Sequence, residues 1–393
     1  MKYILAVGDG MADEPQAALG GQTPLGYAQT GCLDRLSRAG MVGRTCLIPP
    51  GCLPGSLPAQ LTLLGCPPSA CQAGRAALEA QAQGTLAPGE HALRCNLIAV
   101  EHGCIAAHDG GGVTAEEAGA LFAALFEALS DAAHRFLPGM GYRALLVRRG
   151  PQTPGAPSPE TLLGVPAAAV LSEDADLRRL YEAGCAVLAE HPVNRARAAR
   201  GQRPANAVWF WGGGMRPDLP DFTALTGLHG GVAAGVPLPK GIARGMGMTL
   251  LPVDRADGSL HTNWEGKAFA AYDGLTRGGL DFVFVHAEAP DEAGHAGSLP
   301  EKVAAIEYFS ERLIAPLTQW LDADGEAYRL LVLPDHPTPV GLRVHTAGEV
   351  PWLLYDSRAP RADGGAYHEA AAARGTFVPG AQMLRLLCGK EQE

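Results

Sequence analysis

The sequence has few of the features that mark nucleic-acid-binding, membrane or disulfide-linked proteins. Basic residues are outnumbered, with 31 Lys and Arg against 41 Asp and Glu, and the formal net charge is -10. Nucleic acid is therefore not expected as a partner, because a phosphate backbone requires clustered basic side chains. No apolar run approaches the roughly 20 residues that span a bilayer, so we also expect no membrane segment.

Cysteine is present, but not in a pattern typical of cross-links. The nine cysteines are an odd number, and none belongs to a Cys-x-x-Cys pair, so a disulfide framework is not favoured. The chain enters an apolar strand directly after Lys2, without the hydrophobic segment and cleavage site of a secretory signal peptide. Together these features predict a cytoplasmic protein with reduced thiols.

The distribution of candidate functional residues predicts two domains. With 393 residues, of which 47% are hydrophobic, the chain is long enough for two separate cores. Candidate metal ligands lie near both ends of the chain, whereas its middle contains none. We therefore predict a metal-binding core of residues 1–75 and 226–393, with residues 76–225 inserted as a smaller α/β domain.

Three apolar runs of the predicted core lead to acidic residues. The runs at residues 3–7, 281–286 and 330–334 are followed by Asp9, Asp291 and Asp335, respectively. Unbroken apolar runs of this length are typical of parallel strands that are covered on both faces. Open α/β sheets bind ligands at the carboxyl ends of their strands. The predicted fold class is therefore α/β, with a mostly parallel sheet flanked by helices and the acidic residues at one edge.

The donor atoms near these strand ends suit divalent metals. The carboxylates are accompanied by the imidazoles of His295, His336 and His345. Mixed oxygen and nitrogen donors favour Mn²⁺ or Zn²⁺ over a calcium site, and six ligands are enough for two metals. A single Asp at a strand end is more often a turn or capping residue, and a single His more often a core or surface group. Three such ends together favour a two-metal centre.

Ser56 is a candidate nucleophile. It follows Gly55 and precedes the apolar segment at residues 61–64. Coordination to a divalent metal can lower the pKa of a serine hydroxyl far enough to make it an alkoxide without a histidine base. The alternative role is a helix N-cap. One residue can fill both roles, because the helix N-terminus behind it would also stabilise an attached phosphate.

The middle of the chain alternates between strand and helix patterns. Strands are predicted at residues 93–100, 142–147 and 206–211, and helices at residues 114–133 and 175–190. The first helix begins with a capping box of Thr114 and Glu117. In the core, we predict a strand at residues 232–236 and helices that include residues 266–274 and 300–322.

Several short motifs follow one another along essentially the whole chain. They are VGDGMAD at residues 7–13, GGQTPL at 20–25, PGS at 54–56, GR at 74–75, LEA at 78–80, RCN at 94–96, PAN at 204–206, WFWG at 209–212, KG at 240–241, DEAGH at 291–295, DH at 335–336, TP at 338–339 and HT at 345–346. Each motif alone is weak, but their order is specific. In this order they resemble the cofactor-independent phosphoglycerate mutases of the archaeal type, within the alkaline phosphatase superfamily.

The resemblance implies an alkaline-phosphatase-like core and a division of the ligands between two metals. One metal would be held by Asp291, His295 and His345, and the other by Asp9, Ser56, Asp335 and His336. Mn²⁺ is the expected metal, with Zn²⁺, Co²⁺ or Mg²⁺ as alternatives, and no 2,3-bisphosphoglycerate would be needed. Ser56 would take the phosphoryl group from 3-phosphoglycerate and return it to the 2-hydroxyl, so the partner is a small phosphorylated substrate.

The resemblance also implies cationic substrate-binding groups. Lys240 would stabilise the transferred phosphoryl group. In the inserted domain, Arg94, Arg143 and Asn206 would bind the substrate, with Arg195 or Arg197 as further candidates for the carboxylate. For each arginine of the helix at residues 194–203, a solvated helix face is about as favoured as a ligand role.

The chain departs from the family at positions expected to face the substrate. Residues 57–60 read LPAQ where the family has an acidic residue, an apolar one and Ala-Asn, Ala144 replaces a His, and Pro151-Gln152 replaces His-Asp. Two reaction classes therefore stay open. One is a phosphoglycerate mutase, and the other a related phosphotransferase or phosphatase for another small hydroxy acid or phosphonate, such as a homoserine-kinase-like enzyme. A non-catalytic binding protein is least favoured, and the sequence does not indicate the oligomeric state.

Overall fold

The structure is a computed structural model that describes residues 1–389, except residues 73, 85, 88 and 216. The chain divides into two compact units. One consists of Met1–Gln72 and Asp218–Glu393, and the other of Ala73–Pro217. We name them the core unit and the insert unit.

Strands and helices alternate in both units. The strands are, in chain order, β1 Lys2–Gly8, β2 Met41–Thr45, β3 Glu90–Glu101, β4 Cys104–Ala107, β5 His134–Pro138, β6 Arg143–Arg149, β7 Ala207–Met215, β8 Gly230–Ala233, β9 Thr249–Leu250, β10 Phe282–Ala287, β11 Tyr328–Leu333, β12 Val350–Asp356 and β13 Thr376–Phe377. The α-helices are α1 Pro24–Tyr27, α2 Gly31–Arg38, α3 Ser56–Leu63, α4 Arg75–Ala82, α5 Ala115–Leu129, α6 Ala175–Ala189, α7 Pro192–Ala199, α8 Phe222–Thr226, α9 Pro237–Gly245, α10 Trp264–Thr276, α11 Ala289–Ala296, α12 Leu299–Tyr308, α13 Ala315–Ala323, α14 Glu369–Ala372 and α15 Met383–Cys388.

The core unit is built on an eight-stranded sheet of order β13-β2-β12-β11-β1-β10-β8-β9. Strand β1 lies between β10 and β11 and is parallel to both, with Val7 opposite His286 on one side and Leu333 on the other. Beyond β11, strand β12 is antiparallel. Because β1, β10 and β11 end almost level, the segments that follow them leave the sheet at one edge.

Both faces of these central strands are covered. Alternate residues such as Ile4 and Val283 pack with the apolar faces of α2, α10 and α12. The residues between them, such as Leu5 and Phe284, are also fully buried. Burial on both faces explains why the strands read as unbroken apolar runs, and each such side chain contributes roughly 1.5–3 kcal/mol to folding.

The insert unit has its own five-stranded antiparallel sheet. Its path is β4-β3-β6-β5, and β7 pairs with the other edge of β3. Leu93, Cys95 and Leu97 of β3 pack in a core with α5 and α6. Ala92 packs on the opposite face against α4. Because side chains alternate along a strand, Arg94 lies on the face of Ala92.

The predicted fold class, a mostly parallel α/β core with a smaller inserted α/β unit, is confirmed. The capping box of α5 is also confirmed. The Thr114 hydroxyl accepts from the Glu117 amide at 3.2 Å, and the Glu117 carboxylate accepts from the Thr114 amide at 3.1 Å. The strand predicted at residues 232–236 lies slightly earlier in the chain, at Gly230–Ala233, and residues 237–245 form α9.

The long helix predicted at residues 300–322 is interrupted. Helices α12 and α13 are joined by a π-helical segment, Phe309–Ile314. Pro316 lies in the first turn of α13. Proline has no amide hydrogen and its ring collides with the carbonyl four residues earlier, so the helix widens over the preceding turn.

From the sequence we expected neither a disulfide framework nor a membrane segment. No disulfide joins the eight cysteines whose side chains the structure describes. None of the helices in that part of the chain combines the length and the apolar character that crossing a bilayer requires.

Candidate metal centre

The core unit gathers its acidic and imidazole residues at the edge where β1, β10 and β11 end. Asp9 follows β1 directly, and the chain then turns at Gly10, whose φ of +58° favours glycine. A Cβ atom at Gly10 would lie 2.4 Å from Asp291 Oδ1. Glycine therefore lets the turn after β1 approach the carboxylate supplied by α11.

Asp291, His295 and His345 form one cluster of donor atoms. Asp291 and His295 lie one turn apart on α11, which places both on the same helix face. The Nε2 atom of His295 lies 3.3 Å from Asp291 Oδ2, and that of His345 lies 3.5 Å from Oδ1. The two Nε2 atoms are 2.8 Å apart. His295 donates from Nδ1 to the carbonyl of Arg343 at 2.9 Å, which leaves Nε2 as its ligand atom.

The pKa values in this cluster indicate that the Asp291 carboxylate is stabilised by nearby positive charge. Burial acts to raise the pKa of Asp291, but hydrogen bonds from His295 and His345 outweigh it and hold that pKa well below the usual range. The same hydrogen bond to Asp291 raises the pKa of His295 to about 9. A proton on His295 thus supplies the charge that a bound cation would supply.

Ser56, Asp9, Asp335 and His336 form a second, adjoining cluster. The Ser56 hydroxyl lies 3.2 Å and 3.3 Å from the two oxygens of Asp9. His336 Nε2 lies 3.1 Å from Ser56 Oγ and 3.3 Å from Asp9 Oδ1. Asp335 Oδ2 is 3.7 Å from the same nitrogen. Donor atoms separated in this way can share one cation at bond lengths of about 2.1 Å.

The residues present fit divalent cations. Burial and then the neighbouring Asp335 carboxylate raise the pKa of Asp9 well above its ordinary value. Asp335 Oδ1 accepts from the amides of Gly10 and His336, at 3.1 Å and 3.0 Å. Its Oδ2 is buried and has no donor among the described residues. An unpaired buried carboxylate oxygen is costly, and metal coordination removes that cost. The site thus brings together all seven of the predicted ligands.

His286 was missed as a site residue at the sequence level. It is fully buried, and its Nε2 lies 3.0 Å from Asp9 Oδ2 and 3.0 Å from the amide nitrogen of Gln60. Burial lowers the pKa of His286 to about 4, so the imidazole is neutral. Donor atoms of Asp9, His286 and Asp335 lie close enough to hold an ion. The available signal was its position at the end of an apolar run, as for the aspartates.

Lys302 was also missed, and it fixes the loops that carry the ligands. Its side chain is fully buried, and Nζ donates to Asp13 Oδ2 at 2.7 Å and to the carbonyls of Thr338 and Ala12 at 2.7 Å and 3.2 Å. Asp13 also accepts from the amide of Val340 at 3.0 Å. The buried ammonium group of Lys302 therefore links the loop after β1 to the loop after β11.

Replacing Lys302 by Met is expected to destabilise the protein by about 3–5 kcal/mol, because Asp13 would remain buried without its cation. Lys267→Met is the matched control. Lys267 is equally buried but makes no ion pair within the described residues, and its Nζ donates to the Asp257 carbonyl at 3.4 Å. Urea unfolding should show the larger loss for Lys302→Met. Equal losses would contradict the stated role of Asp13.

Lys240 lies in the core unit, on α9. This helix packs against α3, which begins at Ser56. The side chain is partly buried, which lowers the pKa of Lys240, and it forms no ion pair with any residue that the structure describes. Its charge is therefore not neutralised by a neighbouring carboxylate.

The predicted substrate residues of the insert unit differ in their surroundings. Arg94 makes a two-pronged ion pair with Glu79 and lies 4.9 Å from the centroid of the Trp211 ring. Arg143 donates to the Tyr142 hydroxyl at 2.8 Å and is exposed. Arg143 forms no ion pair within the described residues.

The other candidates of the insert unit have structural contacts. Asn206 uses its amide nitrogen and oxygen on the backbone of Val100, at 2.9 Å and 2.8 Å. Arg197 is buried and bonds to Glu117 and to the Gly111 and Arg203 carbonyls. Arg195 is exposed and donates to the Glu190 carbonyl at 2.6 Å. In the structure the polar groups of Asn206 and Arg197 are therefore engaged within the insert unit, and their substrate-binding role stays a prediction.

The departures from the family pattern fall in different environments. Gln60 is fully buried on α3 and contacts His286, so it belongs to the metal centre. Ala144 lies in the core between the insert sheet and its helices, on the face of β6 opposite Arg143. Pro151 and Gln152 are exposed in the loop after β6.

Comparison with known proteins shows the family. A model of the metalloenzyme superfamily matches residues 1–387. The 2,3-bisphosphoglycerate-independent phosphoglycerate mutase of Methanothrix thermoacetophila is 38% identical over 393 residues, which cover 98% of this chain and 99% of that protein. The protein of the same name from Methanosarcina mazei is 40% identical over 371 residues, or 92% of each chain.

Solved structures show the same fold. The PH0037 protein from Pyrococcus horikoshii has a TM-score of 0.83 at 25% identity, covering 100% of this chain and 99% of that one. The cofactor-independent phosphoglycerate mutase from Thermoplasma acidophilum has a TM-score of 0.63 at 24% identity, covering 99% of each chain. The chain belongs to the metalloenzyme superfamily and, within it, to the family of 2,3-bisphosphoglycerate-independent phosphoglycerate mutases, as its motifs predicted.

Proposed function

We propose that the protein interconverts 3-phosphoglycerate and 2-phosphoglycerate through a phosphoserine on Ser56, without 2,3-bisphosphoglycerate. The observation that carries the proposal is the position of the Ser56 hydroxyl. It lies 3.1 Å from an imidazole nitrogen and 3.2 Å from a carboxylate, within a group of buried metal-ligand side chains. The family to which the chain belongs makes phosphoglycerate the best-supported substrate.

The proposed metal ligands follow the two clusters. Asp291, His295 and His345 would hold one divalent cation, and Asp9, Ser56, Asp335 and His336 the other, with Mn²⁺ as the expected metal. Bound there, the cations would supply the positive charge that lowers the pKa of the Ser56 hydroxyl and balances the phosphoryl oxygens. The mixed carboxylate and imidazole donors are the support for this assignment.

The protein's own groups account for the transfer in two steps. Ser56 Oγ bonds to phosphorus as the bond to the 3-oxygen of the substrate breaks, and the proton that Ser56 gives up passes to that oxygen, leaving glycerate and a phosphoserine. The glycerate 2-hydroxyl then bonds to the same phosphorus, Ser56 Oγ leaves, and the proton of the 2-hydroxyl returns to Ser56. Ser56 is the first residue of α3, so amides of that helix face the attached phosphate. Lys240 supplies a cation for the equatorial oxygens.

The insert unit would bind the glycerate carboxylate. Arg143 is the favoured ligand, because its exposed guanidinium is held by the Tyr142 hydroxyl rather than by a carboxylate. The charge of Arg94 is balanced by Glu79, so Arg94 would act mainly by supporting the binding surface. A bidentate contact from Arg143 would orient the glycerate before the second step.

The direct test is to incubate the Mn²⁺-loaded protein with 3-phosphoglycerate and no 2,3-bisphosphoglycerate, and to follow phosphorus signals by NMR. We expect 2-phosphoglycerate to form without release of inorganic phosphate. The departures at residues 57–60 support a second candidate, a phosphatase or phosphotransferase for another small hydroxy acid. Phosphate release from a panel of other substrates, with no isomerisation of 3-phosphoglycerate, would establish that candidate and overturn the first.

Replacing Lys240 by Met should lower kcat/KM by about 10²- to 10³-fold, because a positive charge aimed at the transferred phosphoryl group would be lost. Arg244→Met on the same helix is the control, because Arg244 is exposed and its replacement also removes one positive charge. Steady-state assays of both variants measure the difference. Similar rates for the two variants would count against a role for Lys240 at the phosphoryl group.

A further inference from the structure

Thr338 connects the two clusters of the metal centre through one hydroxyl group. Its side chain is fully buried in the loop after β11. Oγ1 lies 2.5 Å from Asp291 Oδ1 in one cluster and 3.2 Å from His336 Nδ1 in the other. Sequence reasoning did not single out this residue as a site residue, and it is not among the ligands proposed above.

The chemistry of the three groups decides where the protons lie. A threonine hydroxyl has one hydrogen to donate, and an ionised carboxylate can only accept. The Thr338 hydrogen therefore goes to Asp291. His336 Nδ1 must then donate to Thr338 Oγ1, so it carries the proton of the neutral imidazole. The unprotonated nitrogen of His336 is consequently Nε2, which faces Ser56 and Asp9.

The backbone around Thr338 leaves its hydroxyl little freedom. The Thr338 carbonyl accepts from Lys302 Nζ at 2.7 Å, and its amide donates to the Ala12 carbonyl at 3.2 Å. A Cβ atom at Gly10 would lie 2.6 Å from Thr338 Oγ1, and one at Gly294 would lie 2.5 Å from the Thr338 carbonyl oxygen. Two glycines and a buried lysine therefore enclose this residue.

We propose that Thr338 is a positioning residue that prepares both halves of the metal centre. It holds the proton on Nδ1 of His336, so that Nε2 offers its lone pair to a cation. It also occupies one lone pair of Asp291 Oδ1, which fixes the carboxylate toward His295 and His345. This inference rests on the proposed two-metal site, but not on the identity of the substrate. Groups that orient metal ligands in this way commonly change metal affinity when they are removed.

The test compares Thr338→Val, which keeps the shape but removes the hydroxyl, with Thr338→Ser, which keeps the hydroxyl. Calorimetric titration of each metal-free protein with Mn²⁺ measures affinity and stoichiometry. We expect Mn²⁺ to bind about 10- to 100-fold more weakly to Thr338→Val. Thr338→Ser should stay within about threefold of the parent, since the hydrogen bonds are retained. Equal affinity of the parent and Thr338→Val, or an equal loss in both variants, would overturn the proposal.

A second measurement separates positioning from stability and from the proposed reaction. In metal-free protein with ¹⁵N-labelled histidine, the imidazole signals report which nitrogen of His336 carries the proton. We expect Nδ1 in the parent and in Thr338→Ser, and a shift toward Nε2 in Thr338→Val. A proton on Nε2 in the parent would overturn the proposal even if Thr338→Val did not fold. Neither measurement uses mutase activity, so failure of the proposed function would be seen separately.

Discussion

Replacing Ser56 by Ala is expected to reduce phosphoryl transfer by at least about 10³-fold, because the group that bonds to phosphorus would be absent. The fold should survive. Ser56 starts α3 without capping it through its side chain, because the residue before the helix is Gly55. Metal binding should also be largely kept, since Asp9, Asp335 and His336 remain as donors at that position.

The control for this variant is Thr62→Ala, on the same helix. Thr62 carries the other side-chain hydroxyl of α3, and removing it should leave turnover close to that of the parent. Mass spectrometry of protein quenched during turnover should locate phosphate on the peptide that contains Ser56. Phosphate on another residue, or near-normal turnover of Ser56→Ala, would refute the assignment and direct attention to Thr62.

Removal of divalent metal is expected to abolish turnover, and Mn²⁺ or Co²⁺ should restore it. The physical reason is the burial of three carboxylates, those of Asp9, Asp291 and Asp335, at one edge of the sheet. Cations that bind the folded protein should also stabilise it. At a free concentration 100 times Kd, one site adds about 2.7 kcal/mol to the free energy of unfolding. Full turnover in metal-free protein would contradict the proposed chemistry.

A matched pair of variants tests whether this stabilisation comes from the described site. Asp335→Asn removes one charge from the centre, whereas Asp254→Asn removes one from a side chain that is 90% exposed. Thermal unfolding with and without Mn²⁺ should show a reduced metal-dependent shift for Asp335→Asn and an unchanged shift for Asp254→Asn. If both variants kept the full shift, the metal would bind elsewhere.

The candidate site was predictable where its residues follow strands. Asp9 and Asp335 follow β1 and β11 within two residues of the strand ends. The apolar runs, together with the rule that open α/β sheets bind ligands at the carboxyl ends of their strands, were therefore enough to place these residues together. His295 followed from its spacing of four residues after Asp291. His345 was included as an imidazole nine residues after His336, but it lies in a loop whose path depends on packing.

Residues that act through distant contacts could not be predicted. Lys302 meets Asp13 across 289 positions of sequence, and Thr338 meets Asp291 across 47. The sequence separations in these two pairs do not distinguish Lys302 or Thr338 from other buried lysines and threonines. The same limit applies to Asn206, which the motifs predicted to bind substrate. Only the fold shows that both ends of its amide bond to the backbone of Val100.

By itself, the sequence determined the class of fold, the strands that reach the functional edge and the seven side chains gathered there. Apolar runs and short motifs consist of neighbouring residues, so they can be recognised in the sequence alone. Only the tertiary structure decided the charge balance of Asp13, the contact between Thr338 and Asp291, and the absence of an ion pair at Arg143 among the described residues. The first two depend on distances of 2.5–2.7 Å between atoms from remote segments, and such distances exist only after the chain has folded.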